Sequence, residues 1–211
     1  MAKLHGVIFD IGRVLIRVDI QGVKSALAQG LPLNPEELWS AIENDPRWPD
    51  WQEGRMKPRD WHLHLCKRFH MQLDFDEFTR VWNSALDPKP IHDKSLFAGL
   101  AKNYRLGLLS NTDPIHVAKL EATYDFYDYF PKAARTYSCA VGVSKPDPLI
   151  FREALKVTRV KAEETVYVDD ILAYVEAARK LGLTAIQFRS ADQMRADLMA
   201  AGVRANGLES A

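Results

Sequence analysis

Four short apolar, β-branched runs recur along the chain at Leu4–Phe9, Leu106–Leu109, Thr165–Val168 and Thr184–Phe188, with a weaker one at Ala133–Tyr137. Each has the length of a strand and is too short for a helix. Helical patterns lie between the later runs. Ser95–Lys102 carries Leu96, Phe97 and Leu100, and Ile150–Val157 carries Ile150, Phe151, Ala154 and Leu155. Ile171–Leu181 ends at Gly182, a residue suited to close a helix. Strands alternating with helices predict an α/β fold in which helices cover both faces of a parallel sheet. In such sheets ligands bind off the carboxyl ends of the strands.

Residues 18–89 break this rhythm. They show no convincing strand, but Pro35–Glu43, Arg59–Phe69 and Phe75–Leu86 read as amphipathic helices. The proline-spotted stretch LDPKPIHD closes the region like a hinge, and Arg17–Asp19 opens it. The change of period predicts a core of residues 1–17 and 90–211, with an all-helical insertion at 18–89.

Lys plus Arg and Asp plus Glu both number 28, so no net field favours nucleic acid or an anionic membrane. Cys66 and Cys139 stand far apart in no metal-ligand pairing, as expected of a reduced, cytoplasmic protein. The N-terminal apolar run is too short for a signal peptide, and no segment approaches the ~18 apolar residues of a membrane span.

Polar residues collect at the predicted strand ends. Asp10 follows the first run, Ser110 and Asn111 the second, and Asp169 and Asp170 the run Thr165–Val168. Lys145 precedes a helix start at Asp147-Pro148. Each is weak evidence alone, since an Asp after a strand is commonly a turn or cap residue. Together they supply carboxylate oxygens for a divalent cation, plus a hydroxyl, an ammonium and backbone N–H groups for a phosphate.

In that order, VIFDIGRVL, LGLLSNT, VGVSKPDPLIF and VYVDDILAYVEAARKLGL resemble the motifs of the haloacid dehalogenase-like superfamily, in its phosphatase branch with a small helical cap. The resemblance covers nearly the whole chain and implies a Rossmann-like core with Mg²⁺-dependent phosphoryl transfer. It implies Asp10 as nucleophile, Ser110 on a phosphoryl oxygen with Asn111 beside the substrate, and Lys145 steadying the charges. Mg²⁺ would lie between Asp10, the Gly12 carbonyl and Asp170, with Asp169 close by.

Three positions depart from the family pattern. Gly12 stands where a second Asp usually protonates the leaving group, a contribution of ~10²–10⁴ in rate. A substrate with a good leaving group, such as an anomeric sugar phosphate, would tolerate that loss; Asp19 and Glu53 are candidate substitutes. Arg13 is either a solvated side chain or a guanidinium at the mouth that contacts substrate. Tyr174 replaces an Asp or Asn facing the metal.

In the insertion, WQEGRM resembles a cap loop that reaches the substrate, which makes Glu53 and Arg55 candidate specificity residues against a plain turn. His62, Cys66 and His70 recur every four residues, but the outer two lie ~12 Å apart along a helix, too far for one ion. All five tryptophans fall in the insertion. The expectation is a phosphohydrolase acting on a small phosphorylated metabolite, for instance a sugar phosphate, in a monomer or homodimer. A relative that binds a phosphorylated ligand or protein partner without turnover is the alternative.

Overall fold

The computed structural model describes residues 3–208; residues 1–2 and 209–211, the ends of the expected core, lie outside them. In chain order the elements are β1 (Gly6–Phe9), β2 (Ile16–Val18), α1 (Ile20–Leu27), α2 (Pro35–Glu43), α3 (Trp48–Gln52), α4 (Pro58–Phe69), α5 (Phe75–Asn83), β3 (Leu86–Pro90), α6 (Lys94–Ala101) and β4 (Arg105–Ser110). There follow α7 (Pro114–Thr123), β5 (Arg135–Tyr137), α8 (Ser138–Val141), α9 (Pro148–Thr158), β6 (Thr165–Asp169), α10 (Leu172–Lys180), β7 (Thr184–Gln187) and α11 (Ala191–Ala200).

Five strands form one parallel sheet in the order β5-β4-β1-β6-β7. All four residues of β1 are buried, as a central strand covered on both faces requires. On one face Phe9 meets the rings of Phe97 and Phe130 edge-on at 5.9 and 6.2 Å. On the other, Ile8 packs with Phe151, Tyr167 and Val175. Because β1 lies between β4 and β6, the residues that end these three strands meet at one edge.

Helices α1 to α5 bury a cluster of their own, containing Trp39, Trp51, Trp61, Trp82 and Phe78. Trp51 and Trp61 stack at 5.7 Å with an 8° tilt. Asn34 and Asp74 cap α2 and α5 through their side chains. His62 lies within this packing, its Nε2 donating to the Leu73 carbonyl at 2.8 Å, so the His62–Cys66–His70 stripe is a partly buried helix face.

The stretch LDPKPIHD forms a strand over Leu86–Pro90, so the insertion is not all helical as expected. β3 pairs antiparallel with β2, Ile16 opposite Pro90 and Val18 opposite Leu86. A two-stranded ribbon has free edges that accept prolines, so Pro88 and Pro90 fit there. Its partner strands are some seventy residues apart in sequence, which no local pattern reveals. Helices α1, α3 and α11 also escaped the periodicity.

His92, just after this ribbon, is 2% exposed and donates from Nε2 to the Val14 carbonyl at 2.9 Å. Its buried Nδ1 has no partner among the described residues. Burial lowers its pKa to about 4, so folding favours the neutral ring. In the unfolded chain the ring protonates near 6.5, so stability is lost as pH falls from there towards 4. Between pH 7.5 and 4.5, urea denaturation should show wild type losing about 2–3 kcal/mol more than His92→Gln. Parallel pH profiles would contradict this assignment.

Candidate active site

Asp10 follows β1 directly, held by its N–H to the Val168 carbonyl at 2.9 Å. Ser110 ends β4 and Asp169 ends β6, both buried. Lys145 enters from the segment before α9, only 4% exposed. Its Nζ lies 2.9 Å from Asp10 Oδ1, 2.7 Å from Asp169 Oδ2, and 3.2 Å from both the Leu109 carbonyl and the Tyr167 hydroxyl. Burial alone would lower the Lys145 pKa, yet the two carboxylates raise it above the usual ammonium value. Burial pushes the Asp10 carboxyl up to about 6, against the pull of Lys145.

Asp169 and Asp170 are adjacent but differ in kind. Asp169 Oδ2 takes Lys145 and the Tyr167 hydroxyl, while Oδ1 accepts the Ile171 N–H at 2.8 Å. Its oxygens are therefore shared among Lys145, the Tyr167 hydroxyl and the Ile171 N–H. Asp170 is only partly buried and faces the cleft; burial and then Asp169 raise its pKa, with Arg13 pulling it down. Ligand oxygens of Asp10, Asp169 and Asp170 all lie within 4.8 Å of one another. Hard oxygens so close together suit a small divalent cation such as Mg²⁺, and no hydrogen bond among the described residues claims the Gly12 carbonyl.

Asn111 lines the cleft and also acts as a brace. Its amide pairs with the Lys145 backbone, Nδ2 to the carbonyl at 3.0 Å and Oδ1 from the N–H at 2.7 Å. Tyr174 keeps a hydroxyl near the site, 3.4 Å from Asn111 Nδ2, and lies with its ring 5.0 Å from the Lys145 ammonium. Arg13 is exposed on the cleft wall, in the left-handed region at φ 59°. Among the described residues a Cβ on Gly12 would touch only Val18 Cγ2, at 3.5 Å, so that position is open to a side chain.

Glu53 and Arg55 are not brought into the cleft. Arg55 pairs with Asp50 and Glu53, each at 2.6 Å, and lines a separate depression with Arg47 and Lys67. The loop meets the core through its backbone. Ser138, fully buried, donates to the Gln52 carbonyl at 2.7 Å and accepts the Thr112 N–H at 2.9 Å. Gly54, at φ +70°, presses so close to the Cys139 carbonyl that a Cβ would lie 1.9 Å from its oxygen. Asp19 caps α1 and is not part of the cleft lining.

The cleft measures about 270 Å³. Besides Asp10, Gly12, Lys145 and Asp170 it is walled by Trp39, Trp48, Trp82, Glu43, Gln52 and His116. Sequence reasoning treated the tryptophans as a group and missed His116, Glu43 and Gln52. Their only signal was that the cap had to place something over the strand ends.

The D-ribitol-5-phosphate phosphatase of Bacteroides thetaiotaomicron is 24% identical over 203 residues, spanning 92% of this chain and 97% of its own. Among solved structures, an enzyme of the same organism, in complex with magnesium and inorganic phosphate, superposes with a TM-score of 0.78 at 23% identity, covering 89% of this chain and 95% of the other. A predicted hydrolase from Porphyromonas gingivalis gives the same score and identity over 96% of this chain and all of that one. The family match runs over residues 5–182. With the strand-end aspartates and lysine in place, the chain belongs to the haloacid dehalogenase-like hydrolases.

Proposed function

We propose that the protein is a Mg²⁺-dependent phosphohydrolase that acts on a small phosphorylated metabolite through an aspartyl-phosphate on Asp10, with residues 18–89 as its cap. One observation carries this reading: the Lys145 ammonium holds Asp10 and Asp169 at 2.9 and 2.7 Å, with an Asp170 oxygen close by. Asp10 and Asp170, with the Gly12 carbonyl, would hold the metal, which supplies positive charge that offsets the phosphate's approach to a carboxylate.

An Asp10 carboxylate oxygen attacks phosphorus, and the bond from phosphorus to the ester oxygen breaks, its electron pair leaving with the alcohol. Ser110 and the following backbone N–H bind a phosphoryl oxygen, and Lys145 keeps Asp10 ionised and aimed. Water then attacks the same phosphorus, releasing inorganic phosphate and restoring Asp10. Arg13, at the mouth, is the candidate contact for a further oxygen of the substrate.

The leaving oxygen takes its proton from solvent water, because residue 12 offers no acid. Neither Asp19 nor Glu53 reaches the cleft lining, so a leaving group of low basicity, such as an anomeric oxygen, is favoured. Phosphate release measured on a panel of esters should require Mg²⁺ and vanish in Asp10→Asn; persistence in that variant would sink the nucleophile assignment. Because Gly12 tolerates a Cβ, Gly12→Asp should accelerate simple alkyl phosphates by up to ~10²-fold, and anomeric phosphates far less. Equal effects on both would show that the missing acid does not govern substrate choice.

A further inference from the structure

The reading of Asp10 as the phosphate end leaves the opposite wall of the cleft without a role. That wall is aromatic. Trp39 lies 6.3 Å from Trp48 and 5.8 Å from Trp82, and Trp48 and Trp82 are 6.4 Å apart, so the three rings form one contiguous cluster, and each lines the cleft. Val18 and Ile20, which also line the cleft, pack against the same cluster. Trp48 is half-buried and offers the most open face, while Trp82, 2% exposed, forms the base.

The base is fixed from outside the cap. Asp113, at the start of α7 and 1% exposed, accepts the Trp82 indole N–H at 3.0 Å. It also accepts the N–H groups of Ile115 and His116, at 2.9 and 3.0 Å. The His116 ring stacks on Trp82 at a 25° tilt, with Nε2 donating to the Trp82 carbonyl at 3.0 Å and Nδ1 3.1 Å from Asp113 Oδ2. Burial would lower the His116 pKa, yet the Asp113 carboxylate beside Nδ1 raises it above the usual imidazole value, so the pair favours the charged ring. Trp82 is thus tied to the helix that follows Ser110, and the wall is preorganised relative to the phosphate end.

We propose that Trp39, Trp48 and Trp82, with Trp82 held by Asp113 and His116, bind the organic group of the substrate and select a neutral ring lying flat on indole over an open chain or a second anionic group. This rests on the phosphohydrolase reading for the placement of phosphate. A rigid ring lays an unbroken C–H or π face on an indole and loses little freedom in doing so, whereas an open chain must freeze several torsions. Among the described residues a second anion finds no free cation at this wall, since His116 is already paired. Glu43, which has no partner among the described residues, would repel it. Arg13 belongs to the other end, next to Gly12 and drawing on Asp170. The volume of about 270 Å³ lies just under the ~300–1,000 Å³ of drug-sized sites, which suits a phosphate with one ring and not a nucleotide.

The test compares cyclohexyl phosphate with n-hexyl phosphate, which share carbon count and leaving-group class. Phenyl phosphate and glucose 1-phosphate then separate a π face from a C–H face. KM is measured with Mg²⁺, and Kd by calorimetry on Asp10→Asn. Cyclohexyl phosphate should bind about tenfold tighter than the hexyl ester. Trp48→Leu should bring that ratio towards one, Trp48→Phe should largely restore it, and His116→Gln, which loosens Trp82 without removing an indole, should lower it. Equal affinities in wild type, or variants that leave the ratio unchanged, overturn the proposal. Absence of turnover with every ester defeats the phosphohydrolase reading instead, and the calorimetric ratio still decides whether the wall selects rings.

Discussion

The Lys145 ammonium, between the carboxylates of Asp10 and Asp169, is the interaction on which the rest of the site depends. Two buried carboxylates at the ends of adjacent strands repel each other, and a cation between them turns the repulsion into a clamp. It joins the ends of β1 and β6 to the segment before α9, and Asn111 fixes that segment's backbone from the end of β4. Removing one partner of such a buried cluster typically costs 3–5 kcal/mol, because the remaining charges lose their compensation. The same contacts that assemble the sheet edge therefore hold Asp10 in place, and leave Asp170 and one face of Asp10 turned to the cleft.

The cap docks on this edge through backbone and aromatic contacts. Gly54 against the Cys139 carbonyl and Ser138 between Gln52 and Thr112 make one junction. Trp82 with Asp113 and His116 makes the other. Both end on the stretch that follows Ser110, so the positions of the cap wall and of the phosphate-binding backbone are mechanically linked. Exposed ion pairs such as Arg55 with Asp50 and Glu53 add little to that docking.

Much of this was legible in the sequence wherever a signal is local. Apolar runs ending on Asp10, Ser110 and Asp169 marked the strands and the edge at which they meet, and Pro35–Glu43 read correctly to the residue. What failed was non-local or rotameric. The β2–β3 ribbon joins segments far apart in sequence, and its prolines argued for a hinge. No pattern tells that an Asn amide at the cleft also braces a lysine, as Asn111 does. Glu53 and Arg55 sit in a motif-like loop, but their side chains turn to one another and Gln52 lines the cleft instead. No local pattern reveals the hold of Asp113 on a tryptophan of the cap, because that contact exists only after the cap has folded over.

The central claim is that Asp10 carries the phosphoryl group during turnover. Acid-quenched enzyme, taken while it turns over a phosphate ester with Mg²⁺, can be digested and its peptides analysed by mass spectrometry. The account predicts the added mass of one phosphoryl group on the peptide containing Asp10, absent without ester and absent in Asp10→Asn. Turnover with the phosphoryl group on another residue would contradict it.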